Sequence, residues 1–565
     1  MRIMIIRHAQ LKGYPMRSRF LIIRFIFVCL LLLLAVRVFT IQTVKGRDYS
    51  VAAAVQRFRN TEIYIERGDI LDRNGIKFTD RDIKSLAVIQ PDDLIKNPTG
   101  LAVAADILNM SAGALKDKLS QNALPFVAEV SEGQAKAIAD ASLKGLSVVD
   151  VRVRNNDQTL ATHMIGYLDE QGKQGLSGIE KSYQETLEKG GGVYAGVLAD
   201  AGNSVMQEFG YRIWDTMGEQ KLNIKTTLDY HMQEIVEDAM DRMVDKGAVA
   251  IIDVLNGDIL AIASRPNFNP ADIKASLNGA SQPFFNRALG EYTPGSIFKI
   301  ITAAAALDNG ISPDLTFNCP GYAMAGNLKM KCWTYASGGH GTLNMAQAFA
   351  QSCNSYFINL GQVVGRNDIA AMAQKFGLGA KTGLYLQGID EPFGLLPETM
   401  GYASAAEIGN LSIGQGDLLI SPIQAANMAA VIANGGILNK LSLIDCIIND
   451  QGQRIRSIKS PSWERVISKE VAASLQGMMM MTVEYGTGQL ANIQGLGGSA
   501  GKTGSAETGW VQDNRNILHA WFVGYFPVAT PRYAMCVFIE DGKSGGSSAA
   551  PVFAEISAKI MGLGY

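Results

Sequence analysis

The feature that most constrains this chain is an apolar segment near its N-terminus. From Phe20 to Ile41 the sequence reads FLIIRFIFVCLLLLLAVRVFTI, and it contains no charged residue between Phe25 and Val36. A segment of about 20 residues, with arginines near both ends that can extend toward the headgroups, is long enough to cross a bilayer. Because such a segment lies in lipid, we predict one transmembrane helix over residues 20–41, outside any globular core.

The charges around this segment predict its orientation. Five basic residues precede it, and the first acidic residue of the chain is Asp48. Residues 1–19 are therefore expected in the cytoplasm and the remaining chain outside the cell membrane, as a single-pass protein. A cleaved signal peptide is the alternative, but no small-residue cleavage site follows the apolar run. Met16 begins MRSRFLIIRF, a short basic segment that leads into the apolar run. We therefore also expect Met16 or another internal Met to be the true start and residues 1–15 to be dispensable.

Length and pattern predict at least two folded domains after the anchor. A chain of 565 residues is too long for one core, and its net charge of -2 gives no indication of nucleic-acid binding. Residues 48–220 mix charged stretches with strand-like and helix-like pieces, which predicts a mixed α/β module. The pattern becomes more regular from Lys221, so residues 221–565 are expected to form one large domain.

One serine stands in an unusual setting. The stretch YTPGSIFK, from Tyr292 to Lys299, leads into IITAAAAL, which is almost entirely apolar. Pro and Gly suit the turn into a helix, which we expect to end at Gly310. Ser296 and Lys299 are one turn apart, so their side chains can meet. A serine is a weak nucleophile without a base, and a buried neutral amine would serve as one.

Two further short motifs follow in the same half of the chain. AQSCNSYF contains Ser352 and Asn354, and GSAGKTGSAET contains Lys502, Thr503 and Gly504. Each motif alone also fits an ordinary loop, cap or edge strand, and a Ser-x-x-Lys is expected by chance roughly once or twice in a chain this long. The three motifs in this order form a far more specific pattern than any one of them.

The pattern SIFK, SCN and KTG resembles the signature of the penicillin-binding transpeptidases, and the chain is similar to their monofunctional class B members. RGDILDRNG and GLSGIEKSYQETLEKGGG resemble motifs of that family's N-terminal module, and HAWFVGYFP resembles a block of its transpeptidase domain. RVRNNDQTLATHMIGY departs from the family, which more often has Arg-x-Tyr-Pro there. Nearly the whole chain after the membrane segment is covered.

The resemblance implies an α+β fold. A transpeptidase domain over residues 221–565 would have an antiparallel five-stranded sheet flanked by helices, with the Ser296 helix at its centre. Residues 48–220 would form the family's pedestal or dimerisation module. The segments AVAIIDV, DILAIAS, AWFVGYF and YAMCVFIE suit strands of the sheet, and APVFAEISAKIMGL suits its last helix.

The resemblance also implies a function. The family's peptidoglycan D,D-transpeptidases cross-link stem peptides through an acyl-enzyme, here on Ser296, in cell-wall synthesis during elongation, division or sporulation. Implied partners are peptidoglycan stem peptides, β-lactams as inhibitors, a SEDS-family glycan polymerase and other membrane proteins of cell-wall synthesis.

Roles for single residues follow from this implied chemistry. Lys299 would be the base, Ser352 would pass a proton to the leaving amine, and Asn354 would hold the backbone of the stem peptide. The strand carrying KTG would bind the substrate as an added strand.

On that strand, Lys502 and Thr503 suit the terminal carboxylate of the substrate, and Gly504 leaves room beside it. Strand alternation predicts that Lys502 reaches the site from beneath. The backbone N–H groups of Ser296 and Ser505 would form the oxyanion hole.

Three alternatives remain open from sequence. A serine β-lactamase shares the three motifs but needs a group that activates water, and none is evident in the sequence. A bifunctional penicillin-binding protein needs a glycan polymerase domain, for which only about 170 residues lie between Asp48 and Lys221, with no Glu-Asp-x-x-Phe block. A membrane-anchored β-lactam sensor or inert scaffold would be a binding protein without turnover.

The cysteines suggest one disulfide. Cys319 and Cys332 flank a loop-like segment on the predicted outer side, and a bridge between them would stabilise the fold by about 3 kcal/mol. Two free thiols are about equally compatible with the sequence. None of the six cysteines and five histidines has metal-ligand spacing, so no metal and no cofactor is predicted.

Overall fold

The computed structural model describes residues 16–44, 58–122, 124–198, 211–216, 221–277, 281–384, 386–391, 393–397, 403–512 and 515–564. The expectation that residues 1–15 are dispensable lies outside the described residues. Two compact units account for the described chain, one from Met1–Tyr64, Ser85–Val149 and Val193–Thr216, the other from Ile65–Lys84, Asp150–Gly192 and Met217–Tyr565. The predicted domain boundary near Lys221 stays a prediction.

The predicted apolar helix is present. It runs as an α-helix over Met16–Phe39 and continues as a π-helical turn over Thr40–Val44. The segment Phe20–Gln42 has a mean hydropathy of 2.8 and is long and apolar enough to cross a membrane. Its large side chains are exposed, which is what a lipid-facing helix requires.

The first unit combines helices and sheets, as predicted for the mixed module. Strands Phe126–Val130, Asp82–Ile89 and Leu146–Val153 form a sheet in this order. A second three-stranded sheet has the order Phe58–Ile65, Gly192–Leu198, Tyr211–Thr216. The helices are Pro91–Ile95, Pro98–Ile107, Ala112–Gln121 and Glu132–Ala141. Leu94, Leu115 and Ile138 pack in its small core.

The second unit is organised around the predicted five-stranded antiparallel sheet, called here the main sheet. Its strands, in spatial order, are Ile259–Arg265, Gly247–Asp253, Tyr533–Ile539, Arg515–Phe526 and Ala500–Gln512. The first two form the expected hairpin, in which Gly257 takes a φ of 75° that favours glycine. Ala500–Gln512, the edge strand, carries the KTG motif and ends the sheet.

Both faces of the main sheet are buried because apolar residues occupy successive positions of its strands. Val249 and Ile251 point to one core, and Ala248 and Ala250 point to the other. Helices Tyr230–Met243 and Ala550–Gly562 cover the first face. On the second face lie Pro422–Ala433 and the helix that follows Ser296, whose residues 299–306 are all buried.

The remaining elements surround this sandwich. The further helices of the second unit are Thr162–Ile165, Gly178–Ser182, Gln184–Leu187, Ile273–Leu277, Met345–Ala350, Asn354–Val364, Arg366–Lys375, Ala405–Ser412 and Lys469–Glu484. A four-stranded sheet has the order Arg454–Ser457, Ile444–Asn449, Leu222–Thr226, Ile70–Leu71. Two-stranded pairs are Phe317–Cys319 with Gly341–Leu343, Tyr322–Ala325 with Leu328–Lys331, and Ile437–Asn439 with Trp463–Arg465.

A buried ionic network joins three of the segments discussed above. Glu180, from GLSGIEK, is fully buried and accepts hydrogen bonds from Arg67 at 2.8 Å and from Arg154 at 2.6 Å. Arg154 also pairs with Asp80. The segment that departs from the family pattern therefore still supplies an arginine to this network.

Removal of Glu180 is expected to destabilise the protein strongly. Glu180→Ala would leave two largely buried guanidinium groups without their shared carboxylate, which typically costs about 3–5 kcal/mol. The matched control is Glu170→Ala, because Glu170 pairs with Lys274 at 2.9 Å while both side chains are 72% exposed. We expect the control to leave stability nearly unchanged, because solvent screens an exposed ion pair. Denaturant unfolding of the two purified variants measures both values, and equal effects would contradict the prediction.

Candidate active site

Ser296 lies at the start of the predicted helix. Gly295–Phe298 forms a 3-10 turn, and the α-helix Lys299–Asp308 follows it. Gly295 has a φ of 57° and donates its backbone N–H to the carbonyl oxygen of Gly414 at 2.9 Å. This turn leaves Ser296 partly exposed while the next residues are buried. The helix is thus confirmed, with a tighter first turn than the sequence predicted.

Lys299 is completely buried, with its ammonium nitrogen surrounded by acceptors. Nζ donates to the carbonyl oxygen of Ser352 at 2.7 Å, to Oδ1 of Asn354 at 2.7 Å and to Oγ of Ser352 at 3.3 Å. Burial lowers the pKa of Lys299 from its usual value to about 8. These hydrogen bonds bring the SIFK and SCN motifs together. Among the described residues, Ser296 Oγ does not form a hydrogen bond with Lys299 Nζ.

The SCN motif forms the turn between two helices. Met345–Ala350 precedes it, and Asn354 is the first residue of Asn354–Val364. Ser352 has a φ of 52°, a left-handed conformation that few residues other than glycine adopt. Such strain persists only where the surroundings hold it, and it is commonly found at functional sites. Here the turn directs the Ser352 carbonyl toward Lys299.

The edge strand separates its two motif side chains as strand alternation predicts. Lys502 is completely buried, and its Nζ donates to the carbonyl oxygen of Thr503 at 3.0 Å. Burial and the nearby charge of Lys299 both lower the pKa of Lys502. The hydroxyl of Thr503 instead lies 2.6 Å from that of Thr487.

The absence of a side chain at Gly504 is required by packing, which the sequence did not reveal. A Cβ at this position would lie 2.9 Å from Cγ2 of Ile297 and 3.0 Å from the carbonyl oxygen of Pro294. The glycine therefore allows the edge strand to approach the Ser296 turn. Ser505 is exposed, and its Oγ accepts the backbone N–H of Gly545 at 3.1 Å.

A cavity of about 690 Å³ brings the predicted residues together. Its wall includes five of them: Ser296, Ser352, Asn354, Thr503 and Ser505. Lys299 and Lys502 lie beneath it, each fully buried. Polar side chains converge above two buried amines, which is an arrangement suited to holding an anionic group and transferring a proton.

Other residues of the cavity wall were missed by the sequence analysis. They are Trp333, Gly486, Thr487, Gln489, Leu490, Glu507, Leu518, Ser544, Gly546 and Ser547. The segment YGTGQ carried a signal, since two glycines flank Thr487. Trp333 is 61% exposed, which only the structure shows, so no comparable signal for it was present in the sequence.

The expected disulfide between Cys319 and Cys332 is not present, and all six cysteines are free thiols. Cys332 Sγ instead lies 4.0 Å from Cys353 Sγ and 3.7 Å from Nδ1 of His340. The predicted pairing is therefore wrong: a third thiol and an imidazole meet the same two cysteines, and sequence spacing does not reveal that meeting. The spacing argument against metal ligands missed this convergence for the same reason.

A second cavity, of about 700 Å³, contains none of the predicted site residues. Its wall is rich in aromatic rings, including His163, Phe268 and Phe284. The chemistry of the three motifs therefore belongs to the cavity around Ser296.

Comparisons with known proteins agree with this geometry. The family described as "Penicillin binding protein transpeptidase domain" matches residues 247–558, and "Penicillin-binding Protein dimerisation domain" matches residues 62–209. Stage V sporulation protein D of Bacillus subtilis is 29% identical over 97% of this chain and 86% of its own length. Peptidoglycan D,D-transpeptidase PbpA of Mycolicibacterium smegmatis is 34% identical over 58% of this chain and 70% of its own.

A solved structure shares the fold. It is titled "Structural coordination of polymerization and crosslinking by a peptidoglycan synthase complex", with a TM-score of 0.71 and 26% identity over 96% of this chain and 98% of that one. An α+β domain with these motifs is that of a serine-type acyl-transfer enzyme. The chain belongs to the penicillin-binding protein transpeptidase family, and its dimerisation domain is consistent with the class B group.

Gly414→Ala is expected to slow the acylation of Ser296 by a penicillin. A Cβ on Gly414 would lie 2.0 Å from the carbonyl oxygen of Gly295, so the turn that presents Ser296 must move. A displacement near 1 Å can cost about 10²-fold in rate. Gly435→Ala is the matched control, because Gly435 has nearly the same φ, 78° against 76°, and nothing within 4 Å of the added carbon. Stopped-flow or gel labelling compares the acylation rates of the two variants. If both are slowed equally, backbone strain alone explains the effect.

Proposed function

We propose that this protein is a peptidoglycan D,D-transpeptidase that cross-links stem peptides through an acyl-enzyme on Ser296. The observation that carries the proposal is the buried Lys299 amine, held by Ser352 and Asn354 beneath a cavity that Ser296 lines. Relatives named peptidoglycan D,D-transpeptidases support the same reaction.

In the first half-reaction, Ser296 Oγ attacks the carbonyl carbon between the two terminal D-Ala residues of a donor stem peptide. Lys299 in its neutral form accepts the serine proton, and its lowered pKa makes that form accessible near neutral pH. The C–N bond breaks, and the terminal D-Ala leaves after its amine takes up a proton. Ser352 is suited to deliver that proton, because its Oγ lies 3.3 Å from Lys299 Nζ.

Substrate binding uses the edge strand and its surroundings. The stem peptide would lie along Ala500–Gln512 as an added strand, with the Asn354 amide bonded to its backbone. The backbone N–H groups of Ser296 and Ser505 would stabilise the oxyanion. Thr503 would donate to the terminal carboxylate. Lys502 would act indirectly from beneath: burial and Lys299 lower its pKa, and a bound carboxylate nearby would favour its charged form.

In the second half-reaction, an amine from another stem peptide replaces the departed D-Ala. It attacks the ester carbonyl, loses a proton to the site and forms the cross-linking amide, while Ser296 recovers its hydroxyl proton. A β-lactam would be attacked in the same way, but its amine stays tethered after ring opening and blocks the acceptor.

The setting of this reaction follows from the anchor and the relatives. The apolar helix would hold the protein in the cell membrane, with its N-terminus in the cytoplasm and the transpeptidase domain outside, where peptidoglycan is made. A SEDS-family glycan polymerase is the proposed partner, with other membrane proteins of cell-wall synthesis. The structural relative described as a synthase complex that coordinates polymerisation and cross-linking supports such a partner.

Penicillin labelling tests the proposed nucleophile. The full-length protein in detergent is expected to gain one penicillin mass by intact-protein mass spectrometry and to lose this labelling in Ser296→Ala. Lys299→Ala is expected to slow labelling by about 10²–10⁴, because a positioned base typically contributes that much. Ser474→Ala, which changes an exposed serine outside the cavity, should label like the unmodified protein.

The lifetime of the adduct separates a transpeptidase from a β-lactamase. Glu507 brings a carboxylate to the cavity wall, so water activation has to be tested directly. We expect the adduct to persist for many minutes, with the same lifetime in Glu507→Gln. Rapid release of hydrolysed drug would favour a β-lactamase, and labelling that survives Ser296→Ala would refute the proposed nucleophile. Labelling without cross-linking of stem peptides would favour a sensor.

The orientation of the anchor can be tested in intact cells stripped of their wall. A protease added outside is expected to degrade the transpeptidase domain, whereas an epitope at the N-terminus should become accessible only after the membrane is permeabilised. Antibody detection of the two parts gives the result. Protection of the transpeptidase domain would contradict the proposed topology.

A further inference from the structure

Three thiols and one imidazole converge beside the active-site turn. The group, called here the Cys3His cluster, consists of Cys319, Cys332, His340 and Cys353. Their ligand atoms all lie within 4.8 Å of one another. The three cysteines are at most 2% exposed, and the histidine is half-buried. Three buried thiols at one point have no role in the acyl-transfer chemistry proposed above.

The distances within the Cys3His cluster match those around a tetrahedral zinc ion. Bonds of about 2.3 Å to sulfur and about 2.0–2.1 Å to nitrogen place two sulfur ligands about 3.8 Å apart, and a sulfur and a nitrogen about 3.5 Å apart. The cluster has 4.0 Å between the sulfur atoms of Cys332 and Cys353. Nδ1 of His340 lies 3.6 Å from Cys319 Sγ and 3.7 Å from Cys332 Sγ.

The backbone around the cluster is already fixed by hydrogen bonds. Cys319 ends a strand that pairs with Gly341–Leu343, and its carbonyl oxygen accepts the N–H of His340 at 3.1 Å. Cys332 donates its N–H to the carbonyl oxygen of Gly321 at 2.7 Å. These backbone hydrogen bonds already hold the ligand residues close together, so metal binding requires little rearrangement.

The chemistry of the ligand atoms selects the metal. We propose that this is a structural zinc site with four protein ligands: Cys319, Cys332, His340 and Cys353. Three thiolates and an imidazole form a closed set typical of structural Zn²⁺ sites, whereas Mg²⁺ and Ca²⁺ prefer oxygen ligands. With four protein ligands the ion has no open position, so it does not act on the substrate.

The site would position the SCN motif. Cys353 stands between Ser352 and Asn354, the two residues that hold Lys299, and its sulfur accepts the N–H of Tyr356 at the start of the following helix. Cys332 precedes Trp333 in the cavity wall. A zinc ion would therefore connect the SCN motif to the segment that carries Trp333. This second step rests on the proposed function, whereas the metal site itself does not.

Metal analysis of the full-length protein tests the site. The protein is purified in detergent with a phosphine reductant, incubated with Zn²⁺ and dialysed, and zinc is then measured by plasma mass spectrometry. We expect about one zinc per chain in the unmodified protein and less than about a tenth of this in Cys319→Ser and Cys332→Ser. Cys446→Ser is the matched control, because this buried cysteine lies outside the Cys3His cluster, and it should retain the zinc.

Three further measurements protect the test from variants that fail to fold. Co²⁺ added to the unmodified protein should give the intense absorption of a tetrahedral thiolate complex, and X-ray absorption on the zinc form should show three sulfur neighbours and one nitrogen. A mercurial reagent that modifies thiols should release the zinc. No bound zinc in the reduced, supplemented protein, or binding that survives Cys332→Ser, would overturn the proposal. A native disulfide between two cysteines of the cluster would overturn it as well.

Penicillin acylation tests the positioning step separately. Removal of zinc by a chelator is expected to slow acylation at least about tenfold, and restored Zn²⁺ should recover the rate. If the protein binds zinc but the acylation rate does not change when the zinc is removed, the metal site stands and the positioning role is refuted. If Ser296 itself is not acylated, the proposed function fails while the zinc stoichiometry still decides the metal site.

Discussion

The burial of one amine organises the active site. Lys299 has no solvent contact, so its polar head needs protein partners, and it finds them in the carbonyl of Ser352 and the amide of Asn354. Those partners are available only because Ser352 adopts a left-handed conformation and turns its carbonyl toward the helix of Ser296. The same burial lowers the pKa of the amine and prepares it to accept a proton. Stability of the turn and reactivity of the serine therefore depend on one interaction.

The main sheet provides the rigid frame for this interaction. Its two faces are covered by helices, so the edge strand is fixed against the Ser296 turn with little freedom to shift. Gly504 and Gly295 allow that contact, because a side chain on either would meet the opposing backbone. Gly414 holds the turn by accepting the backbone N–H of Gly295. Sites built on rigid elements keep their geometry better than sites on loops. The three motifs are spread over more than 200 residues, and this frame brings them to one cavity.

A zinc ion bound at the Cys3His cluster would add a second fixed point, next to the SCN motif. The cluster connects Cys353, within the SCN motif, to the two strands and the hairpin that carry Cys319, His340 and Cys332. The edge strand and this cluster would thus hold the cavity from two sides. Trp333 and Thr487, which none of the three motifs contains, line the same cavity.

Much of the molecule follows from the sequence alone. The apolar run determines a helix that is long and apolar enough to cross a membrane, because the charged residues of the segment lie near its two ends. The apolar strands and the Pro-Gly turn before a buried helix determine the local elements, since these depend on residues near one another in the chain. The order of SIFK, SCN and KTG was enough to predict the site residues that meet in one cavity.

The remainder was decided by tertiary structure, because it depends on residues far apart in sequence. Spacing could not reveal that Cys353 joins Cys319 and Cys332, so the sequence indicated a disulfide where the fold forms the Cys3His cluster. Nor could it show that Gly504 is needed for the edge strand to approach the Ser296 turn. A sequence pattern predicts which residues carry the chemistry. Only packing determines which atoms come into contact, because the contacting elements are far apart in the sequence.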